Sequence, residues 1–172
     1  MSELEVPTST KSSNSAIQFL GIVTFCYLVS FVGAEGALKG LGDWYEMLHK
    51  PSWTPPNWLF APVWTILYGM MGVAAWQVWR AKDSSGESSR KPAAVALFVF
   101  QILLNGLWSW IFFAFHQLLA SALEIALLWV LIGLTILAFA KVKASAAWLL
   151  TPYWVWVTFA TCLSFSIFRL NK

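Results

Sequence analysis

Charged side chains are so unevenly placed in this chain that they leave only one kind of fold open. Stretches without Asp, Glu, Lys or Arg cover residues 12–34, 51–79, 92–123, 125–140 and 144–168. A helix needs roughly 20 predominantly apolar residues to cross a hydrocarbon core about 30 Å thick. Four of the stretches reach that length directly, and the fourth, 125–140, does so when extended back through Glu124 to about Leu118. The runs are continuously apolar and do not alternate at period two, which favours helices over a barrel. The predicted architecture is therefore an all-α integral membrane protein with five spans, near 16–34, 58–80, 94–115, 118–140 and 146–168. Only 11% of the 172 residues are charged, against about 25% in ordinary soluble domains. A water-soluble globule is excluded. So is disorder, which needs a polar, aromatic-poor chain.

The organisation follows from the spans. Residues 1–15 read as a disordered tail, and 16–170 as a single membrane domain. The leader carries Glu3 and Glu5 and only one basic residue, Lys11, so the first span is read as retained and not as a signal peptide. Lys11, Arg80, Lys82, Arg90, Lys91, Lys141 and Lys143 fall on one side, and Lys39, Lys50, Arg169 and Lys172 on the other. The imbalance favours a cytoplasmic N-terminus. The basic residues are scattered among loops, so nucleic acid is not an expected partner, whereas the lipid bilayer is. Cys26 and Cys162 lie inside predicted spans without a CxxC pair and read as small buried hydrophobes. With His49 and His116 far apart, no metal site is expected.

The third and fourth spans are joined so closely, Phe115 to Leu118, that they should form a tight antiparallel pair. Residues 35–57 are different, because Trp44, Tyr45, Met47, Leu48 and Trp53 give this loop apolar surface of its own. It reads as a lid folded over the bundle mouth, with a short helix capped by Asp43. In Lys50 to Trp58, Pro51, Pro55 and Pro56 stiffen the backbone, so Trp53 can be presented rigidly to a flat ligand. An interfacial belt is the alternative for Trp53 and the favoured role for Trp58. Trp44, Trp79 and Trp148 also fall near predicted helix ends, as a belt requires.

Three spans carry aromatic stripes at helical spacing. Trp64, Tyr68 and Gly72 share a face of the second, Asn105, Trp108 and Phe112 a face of the third, and Tyr153, Trp156, Ala160 and Ser164 a face of the fifth. Each stripe can equally serve helix packing, and Asn105 can equally serve as an interhelical hydrogen-bonding group. Together they offer what a pocket for a planar hydrophobic ligand requires: apolar walls, stacking surfaces and few polar groups. Glu124 is the only acid within a span, and it is either a proton or ligand site or a residue near the interface. Ala122 and Ala126 form a small-xxx-small pair that could serve a dimer surface. No nucleophile–base pair or nucleotide-binding fingerprint is present, so no conventional enzyme site is supported.

Three blocks carry a family resemblance: KPSWTPPNWLFAPVWTILYG at 50–69, LLNGLWSWIFFAFHQ at 103–117 and TPYWVWVTFATCLSFSIFRLN at 151–171. With these motifs in this order, the chain resembles the TspO/MBR family of tryptophan-rich sensory proteins, related to the translocator protein or peripheral-type benzodiazepine receptor. The resemblance extends from about residue 16 onward. It implies a five-helix bundle, usually dimeric, that binds porphyrins such as protoporphyrin IX, possible haem, and other flat ligands beneath the first loop, with no required cofactor. It also implies a place in tetrapyrrole trafficking, sensing or stress regulation. By motif position the ligand residues are Trp53, Asn105, Trp108, Trp156 and Ala160, to which the stripes add Trp64, Tyr68, Phe112 and Tyr153. Trp53 and Trp156 are the pair tied to light-dependent porphyrin breakdown in some bacterial members; a small-molecule transporter without chemistry is the other alternative. Leu163, Phe165 and Arg169 stand where the animal cholesterol motif requires a Tyr between its outer residues. Cholesterol is thus disfavoured as native ligand, and a bacterial cell membrane is favoured over the mitochondrial outer membrane.

Overall fold

A computed structural model describes residues 9–81 and 90–172. The expected tail is helical from Ser9 onward, and its first eight residues lie outside the described part, as do residues 82–89 of the polar loop. The described residues are all-helical with no strand: α1 Ser9–Leu38, α2 Asp43–Met47, a 3₁₀ turn at Asn57–Leu59, α3 Phe60–Arg80, α4 Arg90–Ser109, a π-helical turn at Trp110–Ala114, α5 Leu118–Ala140 and α6 Ala144–Leu170. Five segments are long and apolar enough to cross a bilayer, and they fall where the charge-free runs placed them. The protein is a multi-pass integral membrane protein.

The five long helices close a ring. Going round it, α1 packs on α3, α3 on α6, α6 on α5, α5 on α4, and α4 back on α1. Without a hydrophobic drive between helices in lipid, association depends on close packing, which small residues permit. The α1–α4 seam shows this, because a Cβ on Gly33 would lie 3.4 Å from the Gly106 carbonyl oxygen. Towards the ends of the spans opposite the lid the ring is filled, by Met71, Val78, Ile102, Ile132, Phe139 and Leu150 among others. At the lid side it opens.

Several local features differ from the sequence expectation. Helix α1 runs one turn past Glu35, to Leu38, so the lid begins later than residue 35. The short helix has Gly42, not Asp43, at its N-cap and no side-chain cap; Asp43 is its first residue. The third span is not uniformly α-helical: Phe115 N donates to the Trp110 carbonyl at 2.9 Å, an i to i−5 bond. The chain then reverses at His116, whose φ of 55° lies in the left-handed region. That conformation costs roughly 1 kcal/mol or more for a residue with a Cβ. It is held by stacking of the His116 ring on Trp44, centroids 4.1 Å apart. Trp44 is thereby tied to the turn that joins the third and fourth spans. Cys26 is buried as expected, but Cys162 is exposed. Ala122 is fully buried in the ring, so the Ala122/Ala126 pair does not form an outward-facing surface.

Candidate functional site

The open end of the ring encloses a cavity of about 380 Å³. Its roof comes from the first loop and the end of α1. Leu38 of α1 and Leu41, Tyr45 and Asn57 of the loop line it from above, with Tyr45 almost completely buried. Burial pushes the Tyr45 hydroxyl above its ordinary value. The lid is fastened at both ends. Asn171, just past α6, accepts from His49 N at 3.0 Å and donates from Nδ2 to the His49 carbonyl at 2.8 Å. On the opposite side, Tyr45 packs on Phe112 and Phe113 of the π-helical turn.

The walls carry most of the aromatic positions singled out by spacing. Trp64, Tyr68, Asn105, Trp108, Phe112, Trp156 and Ala160 all line the cavity, together with Ser164. Trp108 and Phe112 stack at 5.1 Å and form one flat wall. The Trp108 indole is fixed there by donating to the Ser121 carbonyl at 3.2 Å. Two expected residues stand elsewhere. Tyr153 is fully buried behind the wall, against the edge of Trp64. Trp53 does not line the cavity: its indole is 46% exposed and meets Phe159 edge-on at 5.6 Å. Gly72 instead serves the α1–α3 contact, where its Cβ position is 3.0 Å from Val23.

The floor is a directed hydrogen-bond chain. Tyr68 Oη donates to Asn105 Oδ1 at 2.8 Å, Asn105 Nδ2 donates to Tyr153 Oη at 2.7 Å, and Tyr153 Oη donates to Gln101 Oε1 at 2.9 Å. These residues tie α3, α4 and α6 together at bilayer depth, where an unsatisfied polar group is costly. Replacing Asn105 with Leu strands the Tyr68 hydroxyl and removes the donor to Tyr153. Interhelical bonds in membranes average below about 1 kcal/mol, but a stranded buried hydroxyl costs about 1–3 kcal/mol. Asn105→Leu should therefore lose about 1–2 kcal/mol, seen as a lower midpoint in thermal unfolding in detergent.

Some cavity residues escaped the sequence reading. Ser30, Gly33, Ala34 and Ala37 supply the α1 wall, and their small-residue spacing of three and four was the available signal. Gln101, which ends the hydrogen-bond chain behind the lining, had its own signal as a polar residue one turn before Asn105. Ile125 and Leu128 of α5 carried no such signal, being ordinary apolar residues in an apolar helix. Glu124 does not line the cavity. It is partly buried, and both carboxylate oxygens are enclosed without a hydrogen-bond partner. Among the described residues there is no group of His, Cys, Asp or Glu side chains able to hold a metal.

Fold and site together define a class: a five-span membrane bundle with an uncharged, aromatic-walled cavity closed by its first loop. Sequence comparison identifies the family. The TspO/MBR family pattern matches residues 22–170. The chain is 44% identical over 149 residues to the tryptophan-rich protein TspO of Chlorobaculum tepidum, covering 87% of this chain and 92% of that protein. It is 41% identical over 139 residues to protein CrtK of Rhodobacter capsulatus, covering 81% and 85%. Its identity to the human translocator protein is 35% over 147 residues, covering 85% and 83%. The chain belongs to the TspO/MBR family.

Proposed function

We propose that the protein is a membrane receptor for porphyrins and related flat hydrophobic ligands, acting in tetrapyrrole trafficking, sensing or stress regulation in a bacterial-type membrane. The observation that carries this reading is the cavity lining. Among the described residues it contains no Asp, Glu, Lys, Arg or His, and it presents the Trp108–Phe112 wall opposite Trp64 and Trp156. Such a site favours a planar apolar body, with orientation supplied by Tyr68 and Asn105. Its volume lies near the low end for small-molecule sites, which run from about 300 to 1,000 Å³. A porphyrin therefore enters edge-first and keeps its carboxylates outside the uncharged lining, towards the lid.

Titration with protoporphyrin IX in the dark tests this, read by tryptophan quenching and the Soret shift. Trp156→Phe removes part of a cavity wall and should weaken binding by about 2- to 10-fold, the range of a lost aromatic contact. Trp53→Phe alters a residue outside the lining and should change it by less than about 2-fold. Absence of any saturable quenching in the parent protein would reject porphyrin binding.

A second reading, light-dependent porphyrin breakdown, draws on one feature. Phe159 bridges Trp53 and Trp156, with ring centroids 5.6 Å and 5.5 Å away. An indole at the cavity wall is thereby linked to one at the surface. Illumination of the bound complex decides it, and equal bleaching with and without protein would reject the chemistry. The transporter reading rests on Glu124, which stands outside the lining; liposome flux of parent and Glu124→Gln proteins tests it.

A further inference from the structure

A second concavity lies on the outer face of the bundle, between α3 and α6, lined by Val63 and Leu67 and by Trp148, Thr151, Pro152, Val155 and Trp156. It has a volume of about 500 Å³ and an apolar surface. Its position on two membrane-spanning helices turns it towards lipid. Trp156 is the single residue, among those described, that lines both this groove and the internal cavity. One indole is thus common to the lipid-facing groove and the ligand site.

That indole is held by packing and by no hydrogen bond. The indoles of Trp108, Trp110, Trp129 and Trp154 each donate a hydrogen bond. Trp156 Nε1 is enclosed and has no partner. Its ring is kept in place only by packing, edge-on to Phe60 at 5.9 Å and tilted on Phe159 at 5.5 Å. Swinging it aside breaks no hydrogen bond. Trp76 also lacks a partner, but it is clamped between Phe19 and the Arg80 guanidinium, away from the cavity. The helix behind the groove is weakened at the same level. Pro152 sits inside α6 and cannot donate to the carbonyl of Trp148, so one rung of the helix is missing there. The lid, by contrast, is fastened to Asn171 and the π-helical turn.

We infer that the α3–α6 groove is the entry subsite through which a flat apolar ligand dissolved in the bilayer reaches the cavity, with Trp156 as the gate. This rests on the cavity being a ligand site, and it adds the route and the residue that controls it. A ligand that partitions into lipid arrives already concentrated at this face. It exchanges its contacts with acyl chains for contacts with the groove before the indole moves.

The test uses the full chain in lipid nanodiscs. Val155 is 61% exposed, lines the groove and does not line the cavity. Val155→Phe should narrow the entrance and lower both association and dissociation rates of protoporphyrin IX by about tenfold, leaving the dissociation constant unchanged, because only the barrier rises. Val130→Phe, a lipid-facing change on α5 outside the groove, should change neither rate. Equal rates in the parent and Val155→Phe proteins would overturn the proposal and assign the groove to lipid chains alone. A second readout needs no ligand. In protein labelled with fluorotryptophan, the ¹⁹F resonance lost in Trp156→Phe should show two-state exchange that slows in Val155→Phe. A resonance without exchange overturns the gate. If protoporphyrin IX fails to bind the parent protein, the porphyrin reading falls, and the ¹⁹F exchange still decides the gate.

Discussion

Gly40→Ala should cost about 3 kcal/mol or more and release the lid, although it adds a single methyl group. Gly40 is buried at the turn between α1 and α2. A Cβ there would stand 2.1 Å from the Phe113 carbonyl oxygen and 2.9 Å from its carbon. Both are backbone atoms of the π-helical turn, so no side-chain rotation relieves the clash. Either the end of α1 or the turn that carries Phe112 must move. The first choice lifts Tyr45, whose amide donates to the Gly40 carbonyl at 3.1 Å. The second displaces a cavity wall. Gly42→Ala is the matched control. It lies two residues on, at φ −77°, with nothing within 4 Å of its Cβ position. Thermal unfolding in nanodiscs should separate the two variants, and ligand affinity should fall only in Gly40→Ala. Equal stability of the two would show that the lid is not seated on the turn as described.

The contrast between Gly40 and Gly42 also marks where the sequence stops being informative. The spans were legible because a bilayer permits few solutions: every backbone group must be satisfied within the helix, and charge is excluded from its length. Even α5 was recoverable, since one carboxyl at Glu124 interrupts an otherwise continuous run. The extra turn of α1 was not, because Glu35 looks like a span's end and yet stays helical, with Lys39 just past the last helical residue. The π-helical turn left no mark at all. Trp-Ile-Phe-Phe-Ala is equally apolar in either helix, and the contact that accompanies the turn, Trp110 bonded to the Val32 carbonyl at 2.8 Å, is made across the bundle.

Within the site, periodicity found the stripes because those of α3 and α6 lie on one α-helix each, and the third runs from α4 only as far as Phe112 in the π-helical turn. It placed Trp64, Tyr68, Asn105, Trp108, Phe112, Trp156 and Ala160 on faces that the ring brings together. It could not decide Trp53, which depends on where a proline-stiffened loop comes to rest. The loop is tied to α6 by Asn171, a residue 118 positions away in sequence from Trp53 and bonded to His49, so the local pattern held no information about that indole's direction. Tyr153 shows the other limit. It shares a stripe with Trp156, but its hydroxyl is bonded to Asn105 and Gln101 and the whole side chain is buried behind the wall, a placement that helical spacing alone does not reveal.

Ala160→Phe should abolish most ligand binding while leaving the fold intact. Ala160 lines the cavity from α6, one turn beyond Trp156, and its methyl leaves the space that the aromatic walls enclose. A ring the size of benzene fills a cavity of about 150 Å³, a large fraction of the 380 Å³ available. A planar ligand would lose burial equivalent to about one aromatic side chain, roughly 1.5–3 kcal/mol, so affinity should fall by about 10- to 100-fold. The stability consequence has the opposite sign. The new ring projects into existing space and not into packed side chains, so the thermal midpoint should hold or rise. Ala160→Gly keeps the space open and should retain ligand binding, which separates loss of volume from damage to α6. Binding would be measured by tryptophan quenching with protoporphyrin IX, and stability by thermal unfolding of the same nanodisc preparations. A Phe variant that binds as tightly as the parent would place the ligand away from the α6 wall.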